Sequence, residues 1–127
     1  MTSLMCLAVA VYFEARGEPL DGQYAVAEVV MNRVEDKRYP NTVCDVVFAR
    51  EAFSFTLDGK PDRLPSRNTK AKRKALQIAS DVLGGSRMGM SSTHYHTTAV
   101  EPYWASHYDK DGGIGRHVFY TNNTKYK

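Results

Sequence analysis

Cysteine and long apolar runs are scarce in this chain, and each shortage excludes a class of protein. The 127 residues include two cysteines, Cys6 and Cys44, which are too few for the disulfide framework of a small secreted domain and are not spaced like metal ligands. They either form one bridge or both stay reduced. No apolar run reaches the roughly 18 to 20 residues of a membrane-spanning helix, so we expect a soluble protein.

Internal repeats and a strong charge of either sign are also absent. Hydrophobic residues make up 43% and charged residues 24% of the chain, with 9 glycines and 5 prolines along it. This composition predicts one globular domain over residues 1–127. The net charge of +3 favours polyanionic surroundings such as nucleic acid, anionic lipid or an acidic cell-wall polymer, without selecting among them.

Two common catalytic motifs are missing. Without a Gly-x-Ser-x-Gly sequence, a serine nucleophile is not supported. The glycine-rich stretch at 112–115 precedes a segment typical of a strand, whereas a phosphate-binding loop leads into a helix. All four histidines, at positions 94, 96, 107 and 117, lie in the last third of the chain. A zinc site built from three of them is an alternative, but their spacing is atypical and no acidic cluster accompanies them, so we predict neither metal nor cofactor.

The chain does contain an acid at the end of an apolar helix. Residues 4–13 are almost all apolar, and the Gly-Glu-Pro sequence at 17–19 supplies stop signals just beyond them. Glu14 therefore lies where a buried helix meets a loop. Apolar neighbours favour the protonated form of a carboxylate, which suits a general acid near neutral pH. The alternative is a structural ion pair of Glu14 with Arg16 or Arg33.

The same apolar run has the length of a signal-peptide core. No positively charged residue precedes it, and a mature domain lacking it would lose the helix that ends at Glu14. We therefore expect no signal peptide and assign the run to the fold.

Helical periodicity and capping residues predict three further helices. The first starts at Asp21 or Gly22 and continues to Val34 as a mostly buried helix. The second starts at Thr42, which forms a capping-box pattern with the acid three residues later, and ends near residue 49. The third covers about 68–84, with a basic outer face.

The remaining segments have strand or loop character. Residues 93–98 and 116–121 are rich in β-branched and aromatic residues, which predicts short strands or extended loops joined by a turn at 111–115. Residues 50–66 lack periodicity and gather turn formers. This long loop carries Ser54 and Phe55, and its aromatic residues either line a ligand groove or anchor the loop in the core.

Several motifs in a fixed order cover almost the whole chain. They occupy residues 13–19, 22–27, 30–34, 39–47, 53–55, 58–59, 93–96, 102–105 and 114–120. The first reads Phe-Glu-Ala-Arg-Gly-Glu-Pro and the last reads Ile-Gly-Arg-His-Val-Phe-Tyr. Together they resemble the SleB/CwlJ-type cell wall hydrolases, the family that includes spore cortex-lytic enzymes.

The resemblance implies a mainly helical α+β, lysozyme-like fold related to lytic transglycosylases, with a small β or extended C-terminal part. It implies peptidoglycan glycan strands as substrate and Glu14 as the catalytic acid and base. The expected reaction cleaves the β-1,4 bond between N-acetylmuramic acid and N-acetylglucosamine and leaves 1,6-anhydromuramic ends. Motif positions assign substrate binding to Ser54, Phe55, Tyr95, His96, Trp104 and His117.

Two alternatives to a lytic transglycosylase remain. A hydrolytic muramidase needs a second carboxylate, for which Glu18, Glu28 and Asp58 are candidates. Glu18 can instead cap or pair locally, and we expect Glu28 to pair with Arg33 or Arg16. The other alternative is a catalytically silent glycan-binding module.

The chain departs from the family pattern around its second cysteine. Many relatives have a cysteine just before the motif that corresponds to Phe-Ser-Phe at 53–55, and often another after it. Either cysteine could pair with the counterpart of Cys44. Neither neighbourhood contains one here, so Cys44 is predicted to lack its usual partner, which favours a reducing compartment. We expect a monomer that is made in the cytoplasm and acts on the cell wall, without binding nucleic acid or inserting into a membrane. A phage lysis enzyme or virion component fits these expectations at least as well as a spore enzyme does.

Overall fold

The computed structural model describes residues 1–49 and 63–124 and places four helices before a small sheet. The helices are α1 (Ser3–Ala15), α2 (Leu20–Val34), α3 (Val43–Val47) and α4 (Lys70–Leu83). The strands are β1 (His94–Thr97), β2 (Asp109–Ile114) and β3 (His117–Thr121), with a 3-10 helix (Tyr103–Ser106) between β1 and β2. The predicted mainly helical α+β class is confirmed.

Helix α1 is the centre of the helical core. Eight consecutive or nearly consecutive side chains of this helix are buried: Cys6, Leu7, Ala8, Val9, Ala10, Val11, Tyr12 and Ala15. Since a helix that is apolar all round must be covered all round, α2, α3 and α4 all pack against it. The predicted buried helix is confirmed. Within residues 1–49 and 63–124, no helix is both long and apolar enough to cross a membrane.

Side-chain caps fix the starts of α3 and α4 close to their predicted positions. The Thr42 hydroxyl accepts the backbone N–H of Asp45 at 3.1 Å, which confirms the predicted capping interaction at α3. The Thr69 hydroxyl does the same for Lys72 at 3.2 Å and starts α4. The buried residues of α4 are Ala75, Ile78, Ala79 and Val82.

The sheet is antiparallel with the order β1-β3-β2. Its small size agrees with the prediction, but the glycine-rich residues that were predicted to form a turn belong to strand β2. Pairing with β3 compensates for their low strand propensity, and the register shifts between Lys110 and Gly112. The actual turn is Gly115-Arg116, and Gly115 has a φ of +58°, a conformation that glycine adopts at little cost.

Cys6 and Cys44 form a disulfide that ties α1 to α3, with their Cα atoms 5.2 Å apart. The structure therefore shows the bridge, which is one of the two alternatives that the sequence left open. Cys6 lies 38 residues before Cys44 in the chain, in the apolar helix α1. The inferred reducing compartment loses its basis.

Polar side chains on α2 hold the segment at 88–93, which leads into β1. The buried Glu28 carboxylate accepts the backbone N–H groups of residues 88 and 90, each at 2.5 Å. Asn32 donates to two carbonyl groups of the same segment, and Arg33 donates to a third. The prediction that Glu28 pairs with an arginine is wrong, because backbone N–H groups satisfy both of its oxygens.

Candidate active site

Glu14 lies half-buried in the last turn of α1, where β1 approaches the helix. The Tyr95 hydroxyl, in the middle of β1, donates to Glu14 Oε1 at 2.7 Å. Burial, followed by the charge of Glu14 and this hydrogen bond, raises the pKa of Tyr95 well above its ordinary value. The hydroxyl therefore stays protonated and acts as a permanent donor that fixes one oxygen of the carboxyl group.

The two arginines considered as ion-pair partners of Glu14 have other contacts. The Arg16 guanidinium lies 4.7 Å from the centre of the Tyr12 ring, an arrangement typical of a cation–π contact. Arg33 is buried, and its Nε donates to the carbonyl oxygen of Thr93 at 2.6 Å. Arg16 thus contacts its own helix, and Arg33 binds the residue that precedes β1.

A cavity of about 280 Å³ opens beside Glu14. Its lining comes from the end of α1, the residues after β1 and the β2–β3 turn: Glu14, Glu18, Thr97, Thr98, Ala99, Arg116 and His117. A larger cavity of about 370 Å³ lies between residues 88–92 and β2. We assign the chemistry to the smaller cavity because it contains an acid at a helix end beside a protonated hydroxyl.

Glu18 lines the same cavity but is fully engaged with the β2–β3 turn. Its carboxylate is buried and accepts the backbone N–H of Arg116 at 2.8 Å and the Arg116 Nε–H at 2.9 Å. Burial alone raises the pKa of Glu18, but the two hydrogen bonds from Arg116 and the charges of His117 and Arg116 together lower it below its ordinary value. Glu18 is therefore an anion that anchors the turn.

The glycine at the turn allows this close approach. A Cβ at position 115 would lie 2.5 Å from Glu18 Oε1 and 2.8 Å from Pro19 Cδ. Any other residue at Gly115 would therefore push the turn away from Glu18. Arg116 was not predicted as a site residue, and the only sequence signal for it is its position directly after this glycine.

Replacing Glu18 with glutamine is expected to lower the free energy of unfolding at neutral pH by about 1–3 kcal/mol, because the amide N–H₂ would face the Arg116 guanidinium. The native pKa of Glu18 is lowered, so its contribution is complete above its ordinary value of 4.5 and is lost as the pH falls through the lower native pKa. Urea unfolding as a function of pH tests this. The variant should lose less stability on acidification, and parallel pH profiles would contradict the anchoring role.

His117, on β3, lines the same cavity as Glu14 and Glu18. The side chain is buried, its Nδ1 is 4.0 Å from Glu18 Oε1, and its ring centre is 4.8 Å from that of Tyr95. In the described part of the chain, Nδ1 has no hydrogen-bond partner. Burial lowers the pKa of His117 despite the opposing charges of Glu18 and Glu14, so the ring is neutral at pH 7.

His96 and Trp104 lie on the opposite face of the sheet. Side chains alternate along a strand, so Tyr95 faces Glu14 while the neighbouring His96 faces away and meets the Tyr120 hydroxyl, with 3.0 Å between His96 Nε2 and that oxygen. The Trp104 ring centre lies 5.8 Å from His96 and 5.0 Å from His94. The structure therefore divides the predicted binding residues between two surfaces.

Two other points of the sequence analysis are the binding role of Ser54 and Phe55 and the alternative of a zinc site built from histidines. Ser54 and Phe55 lie outside the described residues. Across residues 1–49 and 63–124, no three His, Cys, Asp or Glu side chains are grouped so that they could hold a metal ion. Burial, with the charges of Arg33 and Arg38, lowers the pKa of His94 to about 4, and its ring contacts aromatic side chains, including Tyr108 at 4.8 Å.

Comparison with known proteins shows similarity to enzymes of the bacterial cell wall. Residues 17–120, a range that begins just after Glu14, match the cell wall hydrolase family. The chain is 34% identical over 116 residues to the spore cortex-lytic enzyme of Bacillus cereus and 37% identical over 116 residues to that of Bacillus subtilis. These alignments cover 91% and 89% of this chain but 43% and 35% of the relatives. The chain thus spans less than half the length of these relatives.

Two solved structures are similar along nearly their whole length. The catalytic domain of the Bacillus cereus SleB protein has a TM-score of 0.74 and 32% identity, covering 94% of this chain and 89% of that chain. The catalytic domain of the germination-specific lytic transglycosylase SleB from Bacillus anthracis has a TM-score of 0.75 and 32% identity, covering 94% and 93%. Both structures are of catalytic domains, and the chain covers most of each.

Proposed function

The chain belongs to the cell wall hydrolase family, and on that basis we propose that it cleaves the β-1,4 bond between N-acetylmuramic acid and N-acetylglucosamine in peptidoglycan, with Glu14 as the general acid. The observation that carries the proposal is the hydrogen bond from Tyr95 to Glu14 Oε1 at the edge of the cavity. The Glu14 carboxyl group lies at a helix end beside the cavity, and the protonated Tyr95 hydroxyl fixes one of its oxygens.

In the first step, Glu14 donates its proton to the oxygen of the scissile bond. As the bond lengthens, positive charge develops on the sugar ring in an oxocarbenium-like state. The leaving N-acetylglucosamine keeps the proton and its oxygen, and Glu14 becomes a carboxylate. The Tyr95 hydroxyl then hydrogen-bonds an anion, which makes the 2.7 Å contact stronger at the point where charge appears.

In the second step, the 6-hydroxyl of the muramic acid attacks its own anomeric carbon, and Glu14 takes the hydroxyl proton as a general base. The product end is a 1,6-anhydro ring, and the enzyme returns to its starting protonation state. A single carboxylate is sufficient for both steps, because the nucleophile belongs to the substrate.

The environments of the other carboxylates support this route over hydrolysis. A muramidase needs a second carboxylate about 5 to 9.5 Å from the first. Glu18 is held by Arg116, and the Glu28 carboxylate is 1% exposed and bonded to backbone N–H groups. Asp58, the third candidate, lies outside the described residues. One of the solved relatives is itself a lytic transglycosylase.

Substrate contacts are proposed for two surfaces. Beside Glu14, the neutral ring of His117 and the exposed end of β1 would face the cleaved disaccharide. On the opposite face, His96 and Trp104 offer aromatic surface of the kind that packs against sugar rings, and a long glycan strand would meet them away from the point of cleavage. The proposal also retains substrate binding by Ser54 and Phe55. It further retains the predicted monomeric state.

The test is mass spectrometry of the soluble fragments released from purified peptidoglycan. The expected products carry 1,6-anhydromuramic ends, which arise only when the 6-hydroxyl is the nucleophile. Reducing muramic ends would replace the transglycosylase by a muramidase and implicate a second carboxylate. Cleaved peptides with intact glycan would overturn the proposal altogether.

A further inference from the structure

We propose that Glu28 is a positioning residue for the active site. By holding the segment at 88–93, it fixes the position of β1 and thereby keeps the Tyr95 hydroxyl on Glu14. The catalytic consequence rests on the proposed function, whereas the structural link between Glu28 and Tyr95 does not.

The first link is the contact between Glu28 and the segment. The carboxylate is 1% exposed and accepts the backbone N–H groups of Met88 and Met90, each at 2.5 Å. Gly89, between them, has a φ of +87°, which turns both N–H groups toward the same carboxylate. A buried carboxylate is costly unless it is fully hydrogen-bonded, so this arrangement defines one position for the segment.

The second link carries that position into the sheet. About one turn of α2 beyond Glu28, Asn32 Nδ2 donates to the carbonyl oxygens of residues 90 and 92 at 2.9 Å each. Arg33 donates to the carbonyl oxygen of Thr93, whose own N–H pairs with β3 at 2.9 Å. Tyr95 follows two residues later. A shift of the segment therefore moves the strand that carries the hydroxyl.

Helix α2 also provides a contact that does not lead to the site. The Tyr24 hydroxyl donates to Asp81 Oδ2 at 2.5 Å and joins α2 to α4. This hydrogen bond involves neither residues 88–93 nor β1. Tyr24→Phe is therefore a matched control, because it removes a strong hydrogen bond of the same helix without disturbing the proposed path.

The kinetic experiment compares Glu28→Gln with Tyr24→Phe. Glutamine keeps the shape of Glu28 but offers one acceptor oxygen and a donor, so one backbone N–H of the segment loses its partner. We expect kcat to fall about tenfold with KM changed less than about twofold, because a small misplacement of a catalytic contact acts on the transition state. Tyr24→Phe should leave both constants within about twofold.

A double-mutant cycle with Tyr95→Phe shows whether the effect passes through Tyr95. When the hydroxyl is already absent, Glu28→Gln should lower kcat by less than about twofold further. Tyr24→Phe should be additive with Tyr95→Phe. An undiminished tenfold loss in the Tyr95→Phe background would overturn the proposal, because Glu28 would then act by another route.

A spectroscopic measurement separates this proposal from the proposed function. With tyrosine labelled by ¹³C at Cζ, and the Tyr95 resonance assigned from Tyr95→Phe, Glu28→Gln should shift that resonance while Tyr24→Phe leaves it in place. The shift requires no turnover, so it is expected even if the protein cleaves no glycan. An unshifted resonance would reject the structural link. If Glu28→Gln does not fold, Glu28→Asp, which withdraws the carboxylate from residues 88 and 90, takes its place in all three measurements, with the same expected results.

Discussion

Replacing Glu14 with glutamine is expected to lower the rate of glycan cleavage by about a thousandfold or more. The amide has the shape of the carboxyl group but can neither donate the proton in the first step nor accept it in the second. The Tyr95 hydroxyl can still donate to the amide oxygen, so the hydrogen bond and the fold should persist. Initial rates of soluble fragment release from purified peptidoglycan measure the effect, with circular dichroism to verify folding.

Glu35→Gln is the matched control for this variant. It makes the same chemical change at a glutamate that is exposed and lies 3.6 Å from Arg87, away from the cavity, and its rate should stay within about twofold of the original. An unchanged rate of fragment release by Glu14→Gln would reject the assignment of Glu14 as the catalytic acid. If neither the original protein nor the variants cleave glycan but all of them bind it, the chain is a silent glycan-binding module.

The elements that sequence predicts well are those determined by neighbours in the chain. The apolar run before Glu14 and the stop signals after it define the end of α1, because burial and chain termination are local properties. The cap at Thr42 is equally local, since its acceptor and donor are three residues apart. Glu14 could be predicted as a candidate acid for the same reason.

Partners that lie far apart in sequence could not be predicted. Glu28 accepts N–H groups 60 and 62 residues later, and Glu18 accepts from a residue 98 positions later. No property of α2 alone distinguishes a glutamate that pairs with an arginine from one that binds a distant backbone segment. Strand β2 was missed because its glycines have low strand propensity and only the pairing with β3 makes it a strand.

The division of the binding residues between two surfaces was accessible from sequence but was missed. In the sequence His94-Tyr95-His96, strand alternation alone places Tyr95 on one face and both histidines on the other. The assignment of Tyr95 and His96 to one set of substrate-binding residues did not use this alternation. Their positions relative to Glu14 nevertheless depend on tertiary packing, since only the contact of β1 with α1 shows that Tyr95 has the inner position.

Breaking the Cys6–Cys44 disulfide is expected to lower the free energy of unfolding by about 4 kcal/mol, as chain entropy predicts for residues separated by 38 positions. That is a large fraction of the roughly 5 to 15 kcal/mol that stabilises a typical domain. The bond joins the largely buried α1 to α3, so its loss also loosens the packing behind Glu14. Urea unfolding with and without dithiothreitol measures the difference, and the midpoint should move to lower urea on reduction.

Cys44→Ser supplies the control, because it removes the bridge while leaving the buried Cys6 in its apolar surroundings. The variant should have the lower midpoint from the outset, and dithiothreitol should not move it further. If dithiothreitol does not change the urea midpoint of the original protein, the disulfide contributes nothing to the free energy of unfolding. A large shift to lower urea on reduction would mean that the fold has its full stability only where disulfides persist. An oxidising environment of this kind is expected for an enzyme that acts on the cell wall. It is the opposite of the reducing compartment that the missing cysteines near residues 53–55 suggested.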